Sequence, residues 1–423
     1  MLKNPKENQR ATCRISREKL IPLFSLGKLY LSDFIEQNEN PKYEPVEMKI
    51  CLAPRSGLVQ LAHTVPGDIM YKKYWYKSGT NATMANELME IAEKAQKIIQ
   101  LKPQDIFLDI GCNDGTLLKF VGKNFIRIGF DPNDFSAESS VHANLIVNNY
   151  FSWKEFQKTT YKDKKVKIIT SIAMFYDLDN PHDFVQDVKK TLDKNGLWII
   201  QMSYLPLMLK QLAFDNICHE HLTYYSLEAL KYLLDSNGMD IVDCELNDIN
   251  GGSFRIYIRN KDADPTTFAT APYRDVARMR VESILEYEKT LNLRKKSTYL
   301  KFYKDIQVLK KQTVDFIKKE RARGKKIWGY GASTKGNTLL QWFGLDETLI
   351  DAIAERSPAK FGLKTAGSNI PIKSEEEMRK AKPDYLLVLP WHFINEFKKR
   401  EQKFLESGGK FIVPCPQFEI IST

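Results

Sequence analysis

The apolar residues change their period several times along the chain, and those changes divide it into regions. Between residues 104 and 260, short apolar runs at 106–110, 126–130, 144–147, 166–171, 197–202, 239–246 and 254–259 alternate with helical patterns. Runs of this length separated by helices predict a mainly parallel sheet covered on both faces, with ligands outside the carboxyl ends of its strands. The loops after Ile110, Phe130, Ser171 and Met202 are therefore predicted to surround one pocket. Upstream, apolar residues at helical spacing predict a helix over 81–99, whereas the first 85 residues show little clear periodicity. From 272 to 323 apolar residues recur every three or four positions among many charges, as in Tyr299-Leu-Lys-Phe-Tyr-Lys-Asp-Ile-Gln-Val-Leu309, which predicts helices joining two domains. Lys326-Ile-Trp-Gly329-Tyr-Gly331-Ala-Ser-Thr-Lys335-Gly336-Asn337 then gives strand, glycine loop and helix again, and runs at 349–354, 385–389 and 410–413 complete a second, smaller α/β domain. The resulting division is 1–85, 86–265 and 266–423.

The first strand–loop–helix unit is the most informative. Asp105-Ile-Phe-Leu-Asp109-Ile-Gly111-Cys-Asn113-Asp-Gly115 ends an apolar run in a glycine-spaced turn, and Thr116-Leu-Leu-Lys-Phe-Val121 follows as a helix. Glycines let a ligand approach the backbone, and the free N–H groups at the helix start favour polar or anionic atoms. The spacing D-x-G-x-x-x-G lacks the second glycine of a dinucleotide loop. Asp131 ends the next run about 20 residues past Gly111, where an acid usually accepts hydrogen bonds from a ribose. A nucleoside without a pyrophosphate fits this pair.

Composition narrows the class. A chain of 423 residues implies two or three domains at about 100–200 residues each. No apolar stretch approaches the ~18 residues of a membrane span, and the polar start Met1-Leu-Lys-Asn-Pro-Lys-Glu does not read as a secretion signal, so a cytoplasmic protein is expected. The net charge of +10 invites a nucleic-acid partner, yet the lysines are dispersed among acids and not clustered with aromatics; a phosphorylated small substrate explains the charge as well. None of the six cysteines forms a C-x-x-C pair.

The most reactive stretch is Asn216-Ile-Cys218-His219-Glu220-His221-Leu-Thr-Tyr224-Tyr225-Ser226. Histidine titrates near pH ~6.5 and accepts protons at neutral pH, and a nearby carboxylate orients the ring. A general base is one reading; histidines packed in a core are another. A metal site fits less well, because H-x-H lacks zincin spacing and has no fixed third ligand. In the second glycine loop, Lys335 stands where a helix begins, a setting for phosphate. Arg356 and His392 stand at the carboxyl ends of later strands of the same domain, as further diphosphate contacts or as exposed charges.

Taken together these stretches resemble one family, the S-adenosylmethionine-dependent sugar C-methyltransferases that act on nucleotide-linked keto-deoxysugars, the group that includes the tetronitrose C3-methyltransferase. The specific pieces are Cys218-His-Glu-His221 with Tyr224-Tyr225-Ser226, Asn250-Gly251-Gly252-Ser253-Phe-Arg255, Gly329-Tyr-Gly-Ala-Ser-Thr-Lys335-Gly-Asn-Thr-Leu-Leu340, Ala354-Glu-Arg-Ser-Pro358 and Leu389-Pro-Trp-His-Phe393. The resemblance implies a class I methyltransferase doubly wound sheet, a small N-terminal domain and a Rossmann-like C-terminal domain that holds the nucleotide diphosphate. It places the base on His221, its glutamate on Glu220 and the active-site tyrosine on Tyr76. It implies cofactor contacts at Ser78, Asp109, Gly111, Asn113, Gly115, Asp131 and Ala173, and substrate contacts at Arg255, Tyr330, Lys335, Asn337, Arg356 and His392. The expected reaction removes the proton next to the sugar ketone, and the enolate takes the sulfonium methyl. An O- or N-methyltransferase on a related molecule is the alternative, and a nucleic-acid-binding protein the alternative of another class. A monomer or homodimer is expected, with no nucleic acid and no membrane.

Two departures stand out. The family's N-terminal domain usually binds zinc through two C-x-x-C pairs, but here Ser16 follows Cys13, and Ala53 and Ser56 replace the second pair, so no structural zinc is predicted. Cys218 stands where the antibiotic-sugar enzymes carry a tyrosine, and Ser171-Ile-Ala-Met-Phe-Tyr176-Asp177 lacks the histidine those enzymes have after the fourth strand.

Overall fold

A computed structural model describes residues 9–71, 75, 77–133 and 135–422. Its centre is a seven-stranded sheet in the order Met239–Asn247, Ser253–Asn260, Leu192–Ser203, Val166–Ile172, Ile106–Ile110, Ile126–Phe130, Leu145–Val147. The last five are parallel, Ser253–Asn260 runs antiparallel to them, and Met239–Asn247, antiparallel to Ser253–Asn260, shares their direction. The strand Ile106–Ile110 is buried along its whole length, as a parallel strand between two helical layers must be. One face is covered by the helix Ala82–Ile98, whose Leu88, Ile91, Ala92, Ala95 and Ile98 form a stripe at helical spacing. Asn81 caps that helix by accepting the Thr83 N–H at 2.8 Å, an interaction worth about 1 kcal/mol. The helices Pro181–Thr191 and Leu227–Ser236 cover the other face.

The C-terminal sheet has six strands, parallel except for the edge strand Glu419–Ile421. Of the two predicted linker helices, Ala271–Thr290 lies on the central domain, where the Glu288 carboxylate accepts the N–H groups of Leu227 (2.6 Å) and Glu228 (2.9 Å) and the Tyr204 hydroxyl (2.7 Å). The second, Lys296–Ala322, packs Phe302, Ile306 and Ile317 into a core shared by the C-terminal domain and the N-terminal region. Among the described residues no helix is long and apolar enough to cross a membrane.

The N-terminal region has a period that the sequence reading passed over. In Val46–Ala53 the residues Val46, Met48 and Ile50 are buried while Glu47 and Lys49 are not, the two-residue alternation of a strand with one wet face. This strand pairs antiparallel with Ile21–Leu29 and Leu58–Leu61, and the sheet is completed from far along the chain by Thr223–Tyr224. The Leu61 N–H also donates to the Leu222 carbonyl at 2.9 Å. The short strand Phe34–Ile35 pairs with Lys364–Thr365 of the C-terminal domain. Residues 1–85 therefore share strands with both other regions.

Arg14 fastens this arrangement. Its guanidinium is fully buried and donates to the carbonyls of Leu61 (2.7 Å) and His63 (3.2 Å), the Thr64 hydroxyl (2.9 Å) and Asp179 (3.3 Å). Burial lowers its pKa to about 10, well above neutrality, so it stays charged. Nearby, Cys13, Ser16, Ala53 and Ser56 come together in facing turns. The Cys13 sulfur accepts the N–H groups of Ile15 and Ser16 at 3.4 Å and lies 3.6 Å from the Ser56 hydroxyl. The Glu18 carboxylate gathers the N–H groups of Arg55 (3.0 Å) and Ser56 (3.2 Å) and the Ser16 hydroxyl (2.7 Å). One thiol and two hydroxyls are not a zinc donor set, and among the described residues no group of three metal-ligating side chains occurs. Hydrogen bonds to Glu18 tie the two turns together.

Two outcomes are expected. Arg14→Met, which removes the donor to the His63 carbonyl and leaves that of Leu61 only the 3.4 Å bond from Gln60, lowers stability by about 1–3 kcal/mol in urea titration. Protein purified without added metal carries less than one zinc per chain by elemental analysis, and EDTA leaves its thermal midpoint unchanged, because no folding energy comes from a metal.

Candidate active site

At the carboxyl ends of the central strands lies a cavity of about 350 Å³, roofed by the C-terminal domain. The glycine loop forms its floor. Gly111, Asn113 and Gly115 have φ of +76°, +50° and +77°. A Cβ on Gly115 would stand 2.9 Å from the Ser139 backbone, so this turn tolerates only glycine. The Asn113 N–H donates to Asp131 at 2.8 Å, and the Asn113 side chain accepts the Ser78 N–H at 3.0 Å, tying together the loop, the next strand and the entry to the first helix. Asp109 is buried, accepts the Thr170 hydroxyl at 2.7 Å, and is pushed up to about 7 by burial. Ala173 holds φ +55° at the end of Val166–Ile172, a strained conformation for a residue with a Cβ. Ser78, Asp109, Gly111, Asn113, Asp131 and Ala173 all line the cavity; Gly115 lies one turn behind and shapes it.

His221 lines the same cavity. Its Nδ1 lies 2.9 Å from the Asn216 carbonyl, so Nδ1 carries the proton and Nε2 is left with its lone pair. The ring leans on Tyr176 at 4.2 Å between centroids. Burial, and after it the positive charge of Lys335, depress His221 to about 3. Lys335 enters from the C-terminal domain, donates to the Asn250 carbonyl at 3.3 Å and is lowered by burial, with Asp215 opposing. His392, also on the cavity, is depressed to about 3 by burial and Lys335. The strand added to the N-terminal sheet begins two residues after His221, so that sheet fixes the height of the histidine in the cavity.

Several expected site residues lie elsewhere. Glu220 does not orient His221: that bond belongs to the Asn216 carbonyl, and the Glu220 side chain, within the bend that precedes His221, is not on the cavity wall. His219 is fully buried and depressed to about 4 by burial. Arg255 is buried in an ion pair with Glu87 at 2.6 Å, with Glu90 at 3.1 Å, fastening the last strand to the helix Ala82–Ile98 away from the cavity. The Tyr330 hydroxyl is shared by Glu375 and Glu401, each at 2.9 Å, under the C-terminal sheet. The Asn337 amide donates to the Asp33 carbonyl at 3.2 Å, bonding the two terminal regions. Arg356 is exposed, 3.8 Å from Glu396. Tyr76 lies outside the described residues. Of the six expected substrate contacts, only Lys335 and His392 line the cavity. Asn250, Asn133 and Asp177 line it without having been singled out; the φ of +54° at Asn250, beside two glycines, is the local signal in its motif.

Two family models match the chain, a methyltransferase domain over residues 76–243 and a C-methyltransferase C-terminal domain over 248–416. The C-methyltransferase NovU of Streptomyces niveus is 27% identical over 380 residues, 89% of this chain and 88% of that protein. Solved structures resemble it more weakly. The plantazolicin methyltransferase BpumL in complex with SAH is 13% identical, with a TM-score of 0.32 over 41% of this chain and 82% of that one. The N-methyltransferase NodS from Bradyrhizobium japonicum is 10% identical, with a TM-score of 0.31 over 42% and 94%. The chain is a SAM-dependent methyltransferase of class I fold, with S-adenosylmethionine as its cofactor. More narrowly, its C-terminal part matches the C-methyltransferase C-terminal domain, and most of its length is similar to the C-methyltransferase NovU.

The hydrogen bond to Asn216 makes a spectroscopic prediction. Nitrogen-15 NMR of labelled protein should show His221 as a neutral ring protonated on Nδ1, and neutral still at pH 5. The sign follows from the lowered pKa: a depressed imidazole gains its proton only as pH falls toward about 3, far below the ~6.5 of a free histidine.

Proposed function

We propose that this enzyme methylates the carbon next to the ketone of a nucleotide-diphosphate-linked 4-keto-deoxysugar, with His221 as the base. The observation that carries this reading is the shared cavity: a histidine with a free Nε2 opens onto the same space as the glycine loop and Asp131, with a buried ammonium beside it. Gly111, Asn113, Asp131 and Ala173 would hold S-adenosylmethionine, whose sulfonium supplies an electrophilic methyl. The Asp131 carboxylate, held by the Asn113 and Asn133 N–H groups, keeps further lone pairs that suit ribose hydroxyls, and the glycine loop allows close approach of the amino-acid portion.

Nε2 of His221 takes the proton next to the ketone, and the imidazolium charge is tolerated once the anionic acceptor has offset Lys335. In the free enzyme Lys335 and burial make His221 a weak base. An acceptor carrying negative charge relieves part of that depression, so the base gains strength when its substrate arrives. The enclosing C-terminal domain keeps water from the enolate, and positioning of the two reactants supplies much of the rate. Lys335, His392 and Asn250, which line the cavity, would face the acceptor.

The direct test supplies methyl-carbon-13 S-adenosylmethionine with a panel of dTDP-, UDP- and GDP-linked 4-keto-deoxysugars and reads the product by NMR. A labelled methyl bonded to carbon is expected; a methyl on oxygen or nitrogen overturns the assignment. His221→Ala should lower kcat by about 10²–10⁴-fold and leave S-adenosylhomocysteine affinity unchanged by calorimetry; equal loss of binding would make His221 part of the scaffold. Asp131→Ala should weaken that binding by about 10–100-fold, the loss of one to three kcal/mol of hydrogen bonding.

A further inference from the structure

The turn after Val166–Ile172 carries a carboxyl group that the chemistry above leaves unused. Asp177 lines the cavity, and its Oδ1 is sealed from solvent without a hydrogen-bond partner. It directly follows Tyr176, whose ring rests on His221 and whose carbonyl accepts the Thr223 hydroxyl at 3.0 Å. The base and this carboxyl are thus held by adjoining segments. Glu220 has an oxygen in the same condition, Oε2, and its charge is felt at Asp177. Cys218 and Tyr224 are the other titratable groups whose charged forms Asp177 disfavours. The nearby arginines, Arg10 and Arg14, are engaged two residues further on, by Asp179, which also accepts the Thr64 hydroxyl at 2.7 Å. A carboxylate at 177 would be a buried charge facing another acid. Burial first, and Glu220 second, raise Asp177 well above the ordinary carboxylate value, which favours the carboxylic acid and the O–H it carries.

We propose that Asp177 is a second catalytic residue, whose carboxyl group donates a hydrogen bond to the carbonyl oxygen of the acceptor while His221 removes the neighbouring proton. The role rests on the C-methylation reading. In the first step the C–H bond breaks, its proton passes to Nε2, and its electron pair moves through the new C=C bond onto oxygen, where the Asp177 O–H faces the growing charge. The electron pair then returns, the carbon forms its bond to the methyl as the S–CH₃ bond breaks, S-adenosylhomocysteine departs and the ketone is restored. Nothing is oxidised or reduced, and the Asp177 proton stays in place. A donor aimed at charge that exists only in the transition state contributes to kcat more than to binding.

Two measurements test this. In the S-adenosylhomocysteine complex at pH 7, infrared spectra with carbon-13 aspartate should show a protonated-carboxyl C=O band that Asp177→Asn removes. With the nucleotide-linked ketosugar of the assay above, Asp177→Ala should lose about 10²–10³-fold in kcat with unchanged S-adenosylhomocysteine affinity, while Asp177→Asn, which keeps an N–H donor of the same shape, restores most of it. Because the raised pKa means that Asp177 loses its donor as pH rises, the wild-type kcat should fall on the alkaline side, and Asp177→Asn should lack that fall. Absence of the band, a wild-type kcat in Asp177→Ala, or an alkaline fall that persists in Asp177→Asn would each overturn the role, even with a carbon-bonded methyl in the product. A labelled methyl on oxygen or nitrogen from the wild-type enzyme would instead overturn the C-methylation reading, and this role with it.

Discussion

The site depends on a two-residue strand. Thr223–Tyr224 joins the N-terminal sheet beside Leu58–Leu61, and Arg14 locks the pairing from beneath by bonding the carbonyls that follow. The same guanidinium reaches Asp179, and Thr223 holds the Tyr176 carbonyl, so the loop bearing His221 and the turn bearing Asp177 are fixed by one patch of buried hydrogen bonds. Backbone pairing is directional and local, and a buried arginine bonded to carbonyls is costly to disturb. These contacts give a loop of the central domain the rigidity of a sheet. The N-terminal region thereby acts as the mount for the loop bearing His221, and its own turns are tied by Glu18.

Electrostatically the cavity is governed by burial and by a few titratable groups. Burial and Lys335 oppose protonation of His221 and His392, both depressed to about 3, while burial and Glu220 oppose ionisation of Asp177. Both effects disfavour the charged form of a group that has little water to solvate it. What remains is a lone-pair base, an O–H donor and an ammonium whose neighbours are a carbonyl and, through space, Asp215. Such a set is suited to making and shielding an anion that exists only briefly, and an anionic acceptor completes its charge balance.

The sequence alone determined the alternation of strands and helices, hence the doubly wound sheet, because period-two, period-3.6 and glycine signals are carried by neighbouring residues. It also placed the glycine loop and Asp131, since their function follows from short spacings within one strand–loop–helix unit. Only the tertiary structure decided which polar residues meet. Arg255, Tyr330 and Asn337 look like substrate contacts when read within their motifs, but Glu87, Glu375, Glu401 and the Asp33 carbonyl, all remote along the chain, claim them. Glu220 stands beside His221 in sequence, yet the ring is oriented by the Asn216 carbonyl, because the chain bends through 218–220 and brings a residue five positions back into reach. The role of the N-terminal region was hidden for the same reason: its fourth strand comes from about 160 residues further on, and no local period reports a pairing at that separation.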